Sequence, residues 1–286
     1  GGGCISEVSV VTIRANGGES WENLHHIHRG RSQGKLVLKL HSAHMVANFR
    51  CEAAGLRALA QAGAIRVPAV YAFGQVGDQA ALALEFIPPN VDGPSRDQFQ
   101  VFGRQLAKLH QLTTGDRIGW PEDNFLGSAH QPNQGCGSWP EFFAMRRIGF
   151  QIRWACDQGL ADQSLQKDCE TIINRIDELL DGRDGTSSLL HGDLWSGNYL
   201  FDRDGRPVLI DPAVYRGCRE AEWGMIRWFG NCPPEFEQAY QAQWPMPDGW
   251  QRRVGVYLLY HQLNHLNLFG GSYADVCHRT AREVLR

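Results

Sequence analysis

The residues best suited to chemistry fall between Leu189 and Ala213, in the run LLHGDLWSGNYLFDRDGRPVLIDPA. Asp193 precedes Asn198 by five positions, and Asp211 ends a short apolar run. This set suits phosphoryl transfer. A magnesium ion takes oxygen ligands, one or two from protein and the rest from phosphate and water. Asn198 and Asp211 can supply two such ligands. Asp193 can accept the proton of an attacking hydroxyl and hold that hydroxyl in line. A surface hairpin with solvated acids would use the same residue types, because Asp and Asn are common in turns. The apolar run that delivers Asp211 weighs against it.

These residues need elements to hold them. Residues 188–191 read as the end of a strand and 199–201 as a short strand. Residues 202–205 form a hairpin turn in which Gly205 supplies the positive φ that such turns use. Residues 207–210 then read as a buried strand carrying Asp211 at its C-terminal end. Two loops are thereby brought side by side, one with Asp193 and Asn198, the other with Asp211. The H-G-D-x-x-x-x-N run and the D-P-A that follows keep the order and Asp-to-Asn spacing of the catalytic loop and D-F-G motif of protein kinases.

A site of that kind also needs a lysine on the phosphates and a glutamate to hold it. Lys39 sits late in an apolar strand over 35–40, and 43–62 reads as a helix with Phe49, Ala53, Leu56 and Ala60 at helical spacing. Glu52 lies at the edge of that stripe. Earlier strands are expected over 8–14 and 21–28, with Gly17 and Gly18 in the turn between them. Backbone N–H groups of such a turn can face phosphates. Gly1–Gly3 is a rival, set aside because Gly17 and Gly18 lie between two strands, one hairpin before Lys39. Strands four and five are expected over 67–74 and 80–87. The end of the fifth resembles a kinase hinge, where backbone groups of Glu85, Phe86 and Ile87 would meet an adenine edge. A proline-rich break at 88–94 follows.

Beyond it the pattern turns helical, over 95–110, 139–156, 164–180, 219–229, 234–244, 250–269 and 273–285. Residues 115–137 read as a long polar loop, and His110 as a helix-end histidine. The expected architecture is α+β and two-lobed, of protein-kinase-like type. Residues 1–87 form a nucleotide-binding lobe with a five-stranded antiparallel sheet and one helix. Residues 88–94 are the hinge, and 95–286 a mainly helical lobe carrying the catalytic and substrate residues.

Composition narrows the function further. The chain has 286 residues, 43% hydrophobic, with a net charge of −3. No basic block suggests nucleic acid as a partner, and no apolar run approaches the ~18 residues of a membrane span. No stretch resembles a signal peptide. Eight cysteines lie scattered without a C-x-x-C pair, which reads as reduced thiols in a cytoplasmic protein rather than a disulfide framework or zinc site.

Taken together, the chain resembles the fructosamine kinase (ketosamine-3-kinase) family of the aminoglycoside phosphotransferase and choline kinase superfamily. The resemblance is carried by His191-Gly192-Asp193-Leu194-Trp195-Ser196-Gly197-Asn198, by Ile210-Asp211-Pro212-Ala213-Val214-Tyr215, and by Arg219-Glu220-Ala221-Glu222. Trp139-Pro140-Glu141-Phe142-Phe143 and Leu268-Phe269-Gly270-Gly271 add to it. It implies ATP-dependent transfer, with Mg2+, to the 3-hydroxyl of a ketosamine, free or on a glycated protein, and hence a deglycating enzyme. A monomer is expected. By matching position Asp193 is the base, Asn198 and Asp211 the magnesium ligands, Lys39 and Glu52 the phosphate-positioning pair, and Gly17 and Gly18 the nucleotide loop.

Two departures stand out. Glu222 replaces the usual Asp that buttresses the catalytic loop, and 21–34 is longer and more polar than the family's second strand and turn. Asp211 is followed by Pro212, whose fixed φ and missing N–H point to a metal ligand that is permanently placed, without activation-loop control. The indole of Trp195, two residues from the base, can stack on a sugar ring or simply pack. Other readings are a kinase for an aminoglycoside, choline or homoserine, and a nucleotide-binding pseudokinase. The second expects the loss of a key residue, and none is lost.

Overall fold

The computed structural model describes residues 6–14, 33–181, 183 and 186–286. Its first sheet is antiparallel. Strand β1 (Glu7–Arg14) pairs with β2 (Gln33–Ser42), β2 with β4 (Gln79–Glu85), and β4 with β3 (Val70–Val76), in the order β1-β2-β4-β3. Among the described residues this main sheet therefore has four strands, not five. The strand expected over 21–28 lies outside them, as do Gly17 and Gly18.

Helix α1 (Val46–Ala62) lies on this sheet. Phe49, Ala53, Leu56 and Leu59 are buried at helical spacing, and Gly63, at φ +64, ends the helix. Phe49, Ala53 and Leu56 share one core with Ala80, Leu82 and Leu84 of β4. Helix α2 (Arg96–Leu112) starts after the proline-rich segment with a full capping box between Ser95 and Gln98. Its buried Phe102 meets Phe236 of helix α8 (Pro234–Gln243), ring centroids 4.9 Å apart.

The expected loop over 115–137 is partly ordered as a small hairpin, β5 (Asn124–Leu126) with β6 (Ala129–Gln131). Three-residue strands are too short to show alternation in sequence. The helix expected over 139–156 is α3 (Trp139–Phe143), a π-turn at Ala144–Ile148, and α4 (Gly149–Asp157). The one expected over 164–180 breaks at Arg175 into α5 (Gln163–Asn174) and α6 (Ile176–Leu179).

Short strands β7 (Ser188–Leu190) and β10 (Tyr215–Gly217) pair, as do β8 (Tyr199–Phe201) and β9 (Pro207–Leu209). Helix α7 (Glu222–Phe229) follows, and later α9 (Trp250–Phe269) and α10 (Ala274–Val284). Helix α9 is buried on several faces, through Tyr257, Tyr260, Leu263 and Leu266 among others. It forms the axis on which α4, α7 and α10 lean. No helix among the described residues is long and apolar enough to cross a membrane, and their cysteines are free thiols.

Candidate active site

The catalytic loop and the Asp211 loop are tied together by their own backbones. Ala213 N–H donates to the His191 carbonyl at 2.9 Å, and Ile210 N–H to the Asn198 carbonyl at 3.0 Å. His191 adds its ring. Nε2 lies 2.8 Å from the Ile210 carbonyl, while Nδ1 accepts the Asp193 N–H at 3.3 Å. One ring nitrogen donates and the other accepts, which requires the neutral imidazole. Burial favours that form by lowering the histidine pKa.

Glu222 holds the loop from below. Its carboxylate accepts the N–H groups of His191 at 2.7 Å and Gly192 at 3.0 Å. Burial opposes its charge, but these bonds and the neighbouring His110 outweigh it, and the net shift is downward. The longer side chain thus still reaches both amides. His110, read as a plain helix-end residue, is fully buried beneath this carboxylate, 3.6 Å from it, and bonded to Tyr240 at 2.8 Å.

The Asp211 loop is clamped from the other side by the β5–β6 hairpin. Asn124 Nδ2 donates to the Val214 carbonyl at 2.8 Å, and Gln131 Nε2 to the Ala213 carbonyl at 3.1 Å. Asn133 Nδ2 and Gln131 Nε2 both donate to Asn124 Oδ1 at 2.7 Å, and Tyr260 donates to Gln131 Oε1 at 2.7 Å. The sequence carries no sign of this role, because these amides lie in a segment rich in turn-forming residues. Asp211 itself holds φ +54, a strained value for a side chain of its type that a rigid surround must maintain.

Around this frame six of the predicted residues meet. A cavity of about 420 Å3 is lined by Lys39, Glu52, Asp193, Trp195, Asn198 and Asp211. Lys39, nearly buried, bonds to Glu52 at 2.7 Å and also to the Asp211 carboxylate. Burial alone would depress its ammonium, but the two carboxylates hold its pKa above the ordinary lysine value. Burial pushes Glu52 up, to about 7, against the pull of Lys39; contact with the charged ammonium favours its carboxylate form. Asp193 is likewise raised to about 7 by burial, against the hydrogen bond from Asn198. A carboxylate tuned there is matched to proton abstraction near neutrality.

Asn198 directs its amide nitrogen at Asp193, 2.8 Å from the carbonyl and 2.9 Å from Oδ2. Its Oδ1 accepts no hydrogen bond among the described residues. That oxygen and the half-exposed Asp211 carboxylate form the hard oxygen donor set a magnesium ion prefers. The residues therefore fit the metal.

Glu85, Phe86 and Ile87 do not line this cavity. Glu85 N–H donates to the Ala69 carbonyl at 2.8 Å, and its carboxylate accepts from Arg66 at 2.8 Å. Arg66 also binds Asp202 in the β8–β9 turn, so the end of β4 is tied to the catalytic stretch. Gly17 and Gly18 lie outside the described residues. Two wider depressions, of about 760 and 810 Å3, hold none of the predicted site residues. A second cavity of about 530 Å3 does, sharing Gly127, Asp193 and Trp195 with the first. Asp193 thus stands where two cavities join.

The chain is similar to known proteins. The family profile described as fructosamine kinase matches residues 7–286. A chloroplastic protein-ribulosamine 3-kinase of Oryza sativa is 35% identical, over 100% of this chain and 78% of its own. A crystal structure from Thermobifida fusca, described as a candidate fructosamine-3-kinase, superposes with a TM-score of 0.79 at 30% identity, over 98% of this chain and 95% of that one. An aminoglycoside phosphotransferase bound to ADP and hygromycin B reaches a TM-score of 0.61 at 16% identity, over 88% of this chain and 86% of that one. The last likeness concerns the fold alone, and gives it a kinase-like α+β character.

Proposed function

The chain belongs to the fructosamine kinase family, phosphotransferases acting on a sugar hydroxyl, and on that premise we propose that it transfers the γ-phosphoryl group of ATP to the 3-hydroxyl of a ketosamine, as a deglycating enzyme. The observation that carries this reading is the position of Asp193 between two cavities, one with Lys39, Asn198 and Asp211, the other without them. We assign the first to the phosphate donor and the second to the acceptor. The same reading takes 1–87 as the nucleotide lobe, 88–94 as the hinge and 95–286 as the acceptor lobe. The backbone groups of Phe86 and Ile87 remain the candidates for the adenine edge.

In the reaction the acceptor oxygen forms a bond to the γ-phosphorus as the bond to the ADP oxygen breaks, and the hydroxyl proton passes to Asp193 Oδ. Lys39, aimed by Glu52, binds phosphate oxygens through its ammonium. Asn198 Oδ1 and the Asp211 carboxylate would hold Mg2+. A magnesium ion there supplies charge neutralisation on the phosphates. Asn198 also fixes the Asp193 carboxylate through its amide nitrogen. Because Asp211 is held by His191, Asn124 and Gln131 through the segment that follows it, no prior phosphorylation is needed for activity.

The test is ADP release from ATP with and without magnesium, offered ribulose-lysine, fructose-lysine, an aminoglycoside and choline. Turnover on the ketosamines, needing magnesium and falling ~10²–10⁴-fold in Asp193→Asn, is the expected outcome. Turnover on the aminoglycoside or choline instead would overturn the substrate, and no turnover at all would overturn the reaction.

A further inference from the structure

The acceptor-side cavity has a distinctive wall. Trp195, Phe229 and Phe269 are 40%, 37% and 45% exposed there, large aromatic areas left open to solvent. Tyr273 joins them, and His265 backs the group, with ring centroids 5.9 Å from Phe229, 5.2 Å from Phe269 and 5.3 Å from Tyr273. Trp228 stacks on Phe229 at 4.2 Å and fixes its plane. Leu268 and Met225 complete the apolar lining. Among the described residues that line this cavity there is no Lys or Arg, and Asp193 is the one acid. Burial lowers the His265 pKa, so the imidazole brings no positive charge at neutral pH.

This lining discriminates between acceptors. A polycation presents several ammonium groups, and the single carboxylate is committed to the reacting hydroxyl. One ammonium, however, can be held over aromatic faces. A ketosamine carries one such group, its protonated secondary amine, next to the sugar. Resting on the ketosamine reading above, we propose that Phe229, Phe269 and Tyr273 form the amine subsite. It takes the secondary ammonium and alkyl stem of an N-alkyl ketosamine, such as one built on a lysine ε-amine. A ketosamine of an α-amino acid is disfavoured. Its carboxylate would sit beside the amine, against ring faces and near Asp193, with no Lys or Arg among the described lining residues to pair with it.

The test compares three acceptors on the intact protein: 1-deoxy-1-hexylamino-fructose, its neutral ether isostere 1-O-hexyl-fructose, and fructosyl-glycine. The KM of the ether and of fructosyl-glycine should each exceed that of the amine by about tenfold or more, within the range expected of cation–π recognition. Phe269→Leu and Tyr273→Leu should raise KM for the amine about tenfold, with kcat changed less than about threefold and KM for ATP unmoved. Phe269→Tyr should restore it, and the leucine variants should leave KM for the ether unmoved. Equal KM for amine and ether on the native protein overturns the subsite, even if a variant fails to fold. So does a leucine variant, shown folded by its melting temperature, whose KM for the amine is unchanged. Lack of turnover on all three by the native protein would instead overturn the ketosamine reading itself.

Discussion

A Cβ at position 192 would lie 2.1 Å from the carbonyl oxygen of Ala213, with φ at +83. At the glycine of the H-G-D run the catalytic loop and the Asp211 loop are thus too close for a side chain, and neither backbone can yield without losing the His191–Ala213 bond. Gly192→Ala combines left-handed strain, of order 1–3 kcal/mol, with a backbone clash. It should lower unfolding free energy in urea by at least ~2 kcal/mol and abolish turnover. A variant with native stability would show that the loops can separate. Gly197 is constrained by a different neighbour. Its Cβ would fall 2.4 Å from the indole of Trp195, so the ring lies across the loop between base and metal ligand. The residue type at 197 was legible in the sequence as part of a motif; its reason, a ring folded over its own loop, was not.

Elements far apart in the chain set the rigidity of the site. The β5–β6 hairpin grips the Asp211 loop through Asn124, whose amide serves one carbonyl and accepts from two other amides. Asn124→Ala strands the buried Val214 carbonyl and removes one of the two acceptors of each of the Gln131 and Asn133 amides, which keep the Ala213 and Glu122 carbonyls. At roughly 1–3 kcal/mol for a buried group left unsatisfied, the variant should lose about 2–4 kcal/mol in urea unfolding, with kcat falling more than KM for ATP rises. A loss of stability with kcat intact would mean that the clamp does not position Asp211. The motif loops were readable because their residues lie within 25 positions of one another and their spacing is local. The clamp was not, because Asn, Gln and Gly in 115–137 look the same whether they turn a loop or grip another. Lys39 and Glu52 were readable through strand and helix periodicity, and they meet at 2.7 Å. The aromatic subsite was not, because Phe269 belongs to the Leu268–Gly271 motif with no role attached to it, and Phe229 and Tyr273 fall at the ends of segments whose patterns read simply as helical.

At the scale of the whole molecule, the fold buries several histidines in neutral form, and this sets its response to acid. Burial lowers the pKa of His110, His191, His261 and His265 from the ordinary 6.5, that of His261 to about 3. The unfolded chain takes up protons below pH 6.5 while the folded chain does not, so their contribution is fully present above that pH and is lost as pH falls. Asp193 and Glu52 act in the opposite sense, because their raised values let the folded chain bind protons first, from about pH 7 downward. The buried histidines thus bring a loss of stability on acidification, and Asp193 and Glu52 bring a gain. Each histidine contributes up to ~1.4 kcal/mol per pH unit. His261 is the cleanest probe. It lies on α9, does not line the cavity that holds Asn198 and Asp211, and its Nδ1 has no hydrogen-bond partner among the described residues. His261→Leu should flatten the decline in urea unfolding free energy between pH 6 and pH 4 by about 1.4 kcal/mol per unit. An unchanged slope would mean that the imidazole takes up its proton in the folded chain as readily as in the unfolded one, and that burial does not keep it neutral.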